Sequence, residues 1–94
     1  MRFEWDENKN RRNQLKHGIS FEIAKLVFDD PAHLSIQDRY ENGEERWQTL
    51  GLVSGITVLT TVHTYCVDDY EEVIRIISAR KETAQERRHY EYGF

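Results

Sequence analysis

Residues 47–64, WQTLGLVSGITVLTTVHT, decide the fold. Two runs rich in Val, Leu, Ile and Thr, 47–53 and 56–64, flank Ser54-Gly55, and such residues fit a pleated, half-buried surface. A two-residue break is the usual length of a tight hairpin turn, although Gly more often stands first in the type II' form, so the register stays open. Ala32–Gln37 before this hairpin and Val73–Ala79 after it have the same character, and the four runs together predict one antiparallel sheet. The acidic segment VDDYEE reads as the loop before the last strand.

Upstream of the sheet the period changes. Met1–Trp5 alternates as a short strand, and Asp6 is placed to cap a helix over Glu7–His17. Gly18 supplies the left-handed residue after it, with Ile19 expected to fold back in the Schellman manner. This helix contains one clear apolar residue, Leu15, so no ordinary hydrophobic stripe holds it. Ser20 caps a second helix in which Phe21, Ala24, Val27 and Phe28 recur at helical spacing until Asp29-Asp30-Pro31 stop it. At the other end Thr83-Ala-Gln-Glu86 matches a capping box and opens a C-terminal helix, QERRHYEY. The expected architecture is α+β: an antiparallel sheet packed with two N-terminal helices and a C-terminal one, with Phe3, Phe21, Val27, Leu50, Leu59, Val62, Ile74 and Ile76 in the core.

Composition narrows the class. Ninety-four residues, 38% of them hydrophobic and including two Trp, five Tyr and four Phe, fit one water-soluble domain over residues 1–94. No apolar run reaches the roughly 18 residues of a membrane span, and the N-terminal stretch lacks the apolar core of a secretory signal, so a cytoplasmic location is expected. Cys66 is the single cysteine, so packing rather than a disulfide or a cysteine-based zinc cage must hold the fold. The net charge of -4 conceals segregation. Basic groups outnumber acidic ones in residues 1–20 and 75–94, whereas 21–45 and 68–74 are acidic, so the basic ends can form one patch for phosphates. No phosphate-binding glycine loop, dinucleotide fingerprint or serine-esterase elbow is present.

The residues able to do chemistry are few. His63 shares a strand face with Leu59, Thr61 and Tyr65, which makes it either a core residue or a proton carrier. Ile74, Ile76, Ser78 and Arg80 share one face of the last strand, so Arg80 emerges beside an apolar face, to clamp a phosphate or, more commonly, to pair with an acid. Lys16 and His17 stand together at a helix end, where cations also simply compensate the dipole.

The string FEWDENKNRRNQLKHGISFEIAKLVFDDP, followed by GEERWQTLGLV, VLTTVHT and RIISARKETAQERRHYE, resembles the BrnT family of bacterial type II toxin-antitoxin toxins. Its most specific pieces are Trp5-Asp6, Asn13, Lys16-His17-Gly18 with Ser20-Phe21, and Ile77-Ser78-Ala79-Arg80 before Glu86-Arg87. The resemblance implies a small fold similar to the RelE-type toxins and an endoribonuclease that cleaves RNA without metal or cofactor and stops translation. It also implies neutralisation by a BrnA-type antitoxin, whose DNA-binding domain would bring the complex to DNA while the toxin itself need not touch it. Metal-free cleavage needs a base, an acid and cations around the phosphorane. The candidates are His63 or His17 for proton transfer, Lys16, Arg46 and Arg80 for charge stabilisation, and Tyr65 for stacking or hydroxyl donation. Relatives carry an arginine in the pattern H-T-x-R where this chain has His63-Thr64-Tyr65-Cys66. That departure keeps a second reading open, an inactive module that engages an antitoxin-like partner or RNA. For the antitoxin interface, Arg11 and Arg12 on the first helix are the expected contacts, with Tyr90, Tyr92 and Phe94 at the C-terminus either further anchors or aromatics that close the core.

Overall fold

The computed structural model describes residues 1–55 and 57–93, and the backbone alone of residues 57 and 58. Strand β1 (Arg2–Glu4) leads into helix α1 (Glu7–His17), helix α2 (Phe21–Ala24) and a 3-10 turn (Lys25–Asp29). Four long strands follow, β2 (Leu34–Glu41), β3 (Glu44–Val53), β4 (Thr57–Asp68) and β5 (Glu71–Lys81), and helix α3 (Ala84–Tyr92) ends the chain. The sheet order is β1-β5-β4-β3-β2. The four long strands pair antiparallel as expected, while β1 joins the edge of β5 in parallel.

The helix signals behave as their chemistry dictates. The Asp6 carboxylate accepts from the Asn8 and Lys9 N–H groups, and Ser20 and Thr83 cap α2 and α3, the latter in a full capping box. Gly18 takes φ 71° and its N–H bonds to the Gln14 carbonyl. That is the single-bond left-handed cap, not the expected Schellman form.

Strand ends run further than the apolar runs implied. The VDDYEE segment is not a loop: β4 and β5 continue through it to a two-residue turn at Asp69-Tyr70, both at positive φ. A matching turn at Asn42-Gly43 joins β2 to β3, so backbone pairing carries polar residues into strands that hydrophobicity alone does not mark. The expected start of β4 at Ile56 lies outside the described residues.

The core lies between the sheet and the α1–α2 layer. Phe21 packs with Ile74 and Ile76, and Ala24 and Val27 pack with Val53, Leu59 and Ala79. Gly51 is required where the 3-10 turn crosses β3, because a Cβ there would lie 2.6 Å from the Val27 carbonyl oxygen. Of the expected core, Phe21, Val27, Leu50, Leu59, Ile74 and Ile76 are buried, whereas Phe3 and Val62 are half-buried.

One irregularity re-aims the end of β5. Val62 pairs with Ser78 and His63 with Ile76, so Ile77 is an extra residue in the ladder. Beyond this bulge the alternation inverts. Ile74 and Ile76 face the α1–α2 layer, but Ser78 and Arg80, opposite Val62 and Thr60, face the other side. The expected shared face of Ile74, Ile76, Ser78 and Arg80 is therefore corrected: regular alternation holds only up to Ile76.

Candidate functional site

Helix α1 is held by amides. Its buried residues are Asn10 and Asn13, one turn apart. The Asn13 side-chain amide donates to the Ile19 carbonyl at 2.8 Å and to the Ala79 carbonyl at 2.9 Å, and its oxygen accepts the Ala79 N–H at 3.1 Å. Asn13 thereby completes the outer edge of β5 beyond the reach of β1, whose pairing covers only Val73–Arg75. Asn10 accepts the Phe21 N–H and donates to Glu7 and Glu22. These contacts answer the missing apolar stripe: the inward face of the helix is polar and satisfied.

With neutral amides turned inward, the cations remain outside. Lys9, Arg12, Asn13, Lys16 and His17 line a groove of about 200 Å³ whose opposite wall is the bulge, Ile77 and Ser78. Lys9, Arg12 and Lys16 follow one another at intervals of three and four residues, which places them on one helix face. Among the described residues, none of the ion pairs involves Lys9, Arg11, Arg12 or Lys16. The arrangement offers a row of positive charge beside an exposed imidazole.

The other expected site residues lie elsewhere. His63 does share a face with Tyr65, as alternation required, but it is 3% exposed beneath the edge of Phe28, with ring centroids 5.1 Å apart. One ring nitrogen meets the Thr49 hydroxyl at 2.7 Å and the other the Thr64 carbonyl at 3.2 Å. Burial lowers its pKa below the ordinary histidine value, against a smaller opposing effect from the Thr64 carbonyl. It is a satisfied core histidine in this arrangement.

Arg80 faces α3. Its guanidinium forks onto the Glu86 carboxylate at 2.6 and 2.7 Å. Glu86 also accepts from the Thr60 hydroxyl and the Thr83 N–H. Burial opposes ionisation of Glu86, yet these partners, Arg80 foremost, hold its carboxyl down at about 2. Arg46 alternates onto the same side of the sheet as Arg80. It bonds Glu41 at 3.1 Å through one terminal nitrogen, and its buried Nε has no partner among the described residues.

Tyr65 is 48% exposed at a third place. It borders a recess with Thr64, Cys66 and Arg75 that also holds Glu4, Glu44 and Glu45. Arg75 pairs with Glu4 there, at 3.6 Å. Cys66 therefore lies in acidic surroundings. Of the six expected site residues, the structure brings together only Lys16 and His17, and adds Lys9 and Arg12 to them. The spacing of Lys9, Arg12 and Lys16 was readable as a helical row, whereas nothing local announced the bulge that walls the groove.

The C-terminal aromatics divide. The Tyr90 hydroxyl donates to the Asp30 carboxylate, which also accepts the Leu52 and Ala32 N–H groups. Tyr90 thus ties α3 to the 3-10 turn and β3, the closing role held open for it beside that of an interface anchor. Tyr92 is exposed, and Phe94 lies outside the described residues. No described helix is long and apolar enough to cross a membrane.

Comparison with known proteins places this geometry. Residues 5–86 match the family described as "Ribonuclease toxin, BrnT, of type II toxin-antitoxin system". Among curated proteins none matches the chain. The crystal structure of the Brucella abortus ribonuclease toxin BrnT superposes with a TM-score of 0.62 at 21% identity, covering 88% of this chain and 97% of the other. That likeness carries the α+β fold, and the family match spans most of the sequence. The chain belongs to the BrnT family of ribonuclease toxins of type II toxin-antitoxin systems.

Proposed function

We propose that this chain is a metal-independent endoribonuclease whose working surface is the groove between α1 and the β5 bulge. The observation that carries the reading is the meeting of exposed His17 with Lys9, Arg12 and Lys16, none of which forms an ion pair among the described residues. His17 takes the proton of a ribose 2'-hydroxyl as that oxygen bonds to the adjacent phosphorus. The bond from phosphorus to the 5'-oxygen then breaks, and the imidazolium returns the proton to the departing oxygen. Lys16 stabilises the growing negative charge, while Arg12 and Lys9 hold neighbouring phosphates. The balanced products are a 2',3'-cyclic phosphate and a 5'-hydroxyl end. Cleavage of messenger RNA stops translation, and a BrnA-type antitoxin in the same intracellular compartment neutralises the toxin by covering the groove. DNA is reached only through the antitoxin.

Induced expression with and without the antitoxin, followed by RNA analysis, tests this reading. The wild type should arrest growth and cleave RNA. A Lys16→Ala/His17→Ala double variant should keep its circular dichroism spectrum and cleave on the order of 100-fold more slowly. An Arg80→Ala variant separates the other candidate, since Arg80 acts through α3 in this scheme. Folded wild type without cleavage would favour the inactive binding module, a reading motivated by Cys66 in place of the family arginine.

A further inference from the structure

A second groove, of about 290 Å³, begins where α1 ends. Gly18, Ile19, Ile23, Val53, Leu59 and Lys81 line it. Its walls are aliphatic except toward Ser54 and Lys81. Ile23 is 47% exposed, although its neighbours in α2, Phe21 and Ala24, are fully buried. Lys81, at the end of β5, has no ion-pair partner among the described residues. The two grooves adjoin through consecutive residues: His17 borders the cationic one and Gly18 the apolar one.

We infer that the apolar groove seats an acidic segment of the antitoxin carrying one aliphatic or aromatic anchor. The anchor occupies the space between Ile23, Val53 and Leu59. Carboxylates on either side of it meet Lys81 and Lys16, and the chain continues across His17. The inference rests on the reading that an antitoxin covers the cationic groove, and it adds where the antitoxin is gripped. Charge complementarity selects the partner, because Lys81 in the recess and the cations of the adjoining groove favour an acidic chain on that side, away from Asp29 and Asp30 beyond Val53 and Ser54. An apolar anchor in a desolvated recess supplies the affinity that exposed charges alone do not. RNA fits the recess poorly, since its lining offers phosphates one lysine and bases no aromatic face.

The test uses the purified product of the reading frame adjoining the gene as antitoxin, titrated calorimetrically into the full-length chain. Ile23→Glu should raise Kd at least tenfold, Lys81→Glu about tenfold, and the milder Ile23→Ala a few fold, with RNA cleavage in the absence of antitoxin unchanged. Ile23→Ala keeps the test decisive if the glutamate variant misfolds. Wild-type affinity in Ile23→Ala and Lys81→Glu would overturn the inference. So would weakened RNA binding with antitoxin affinity intact, which would assign the groove to RNA. A wild type that binds no antitoxin removes both this inference and the neutralisation scheme. A wild type that binds tightly, with the variants weakened, but cleaves no RNA removes only the ribonuclease reading.

Discussion

Helix α1 and the junction of β5 with α3 both carry clustered basic residues, and they dispose of them in opposite ways. On α1, Lys9, Arg12 and Lys16 border an open groove. At the junction, Arg80 forks onto Glu86, and Arg87 pairs with Glu82 at 3.0 Å and Glu91 at 2.8 Å. The difference follows from docking chemistry. Neutral amides hold α1 to the protein, so its charges stay available. Charged groups hold α3, so Arg80 and Arg87 are consumed in structure, while Arg88 and Lys81 form no ion pair among the described residues. A basic residue count is therefore a poor guide to where a phosphate will bind; what a cation already touches decides it.

The largest effect on the fold should come from the amide side of this contrast. In Asn13→Ala, the Ala79 N–H and the Ala79 and Ile19 carbonyls lose their side-chain partners. Leaving a buried polar group unsatisfied costs about 1–3 kcal/mol, so a total loss of about 3 kcal/mol or more is expected in urea denaturation. Asn13→Asp keeps the acceptor but sets a buried carboxylate oxygen against the Ile19 and Ala79 carbonyls, and should lose at least as much. A loss below about 1 kcal/mol would mean that α1 is held by something other than its amides.

The charged junction should cost less and respond to pH. Glu86→Gln replaces a carboxylate that grips Arg80 twice, and a loss of about 2 kcal/mol at neutral pH is expected for charge-assisted bonds. The folded pKa of Glu86, about 2, lies below its ordinary value of 4.5. Its contribution is therefore complete above pH 4.5 and disappears as pH falls toward 2. The stability gap between wild type and Glu86→Gln should close over that window. His63 adds an earlier acid limb common to both proteins. Burial depresses its pKa from 6.5, so the unfolded chain takes up the proton first and stability declines below that pH. A gap between the two proteins that stays constant down to pH 2 would deny the Arg80–Glu86 knot its ionic character.

Much of this contrast was legible in the chain, in proportion to how local its cause is. Asp6, Ser20 and Thr83 announce their helices because a cap is a matter of four residues. The hairpin of β3 and β4 follows from β-branched runs around a short break. Ile77 announces nothing. The sequence Ile74-Arg75-Ile76-Ile77-Ser78 permits either phase, and pairing across to Val62 and His63 selects the bulge. Asn10 is equally silent, and Asn13 stands out only through the family resemblance, since a helix docked by hydrogen bonds shows no hydrophobic period. His63 and Arg80 were each read with two meanings, and burial under Phe28 and the fork onto Glu86 favour the duller one in both cases. Placement on a site thus escaped sequence reasoning wherever it depended on a partner distant along the chain.

The smallest structural effect, and the sharpest functional one, is expected on the outer face of α1. Lys9 and Arg12 contribute little to folding: among the described residues neither forms an ion pair, and the one side-chain bond of Arg12 reaches the Asn8 carbonyl at a long 3.4 Å. Changing each to Gln removes charge while keeping a polar helix-compatible side chain, so unfolding free energy should shift by less than about 0.5 kcal/mol. RNA affinity should fall nonetheless. Each cation that neutralises a phosphate releases a condensed counterion, and for a single strand it contributes about 0.7 to the slope of log affinity against log salt. The double variant should therefore lower the slope by about 1.4 from that of the wild type when binding of a single-stranded oligonucleotide is followed across a salt series. Arg87→Gln, on the junction side, should leave the slope unchanged while disturbing its pairs with Glu82 and Glu91. Equal slopes for the wild type and the α1 variant would show that RNA does not follow the groove, and would move the search to the sheet face that carries Arg46.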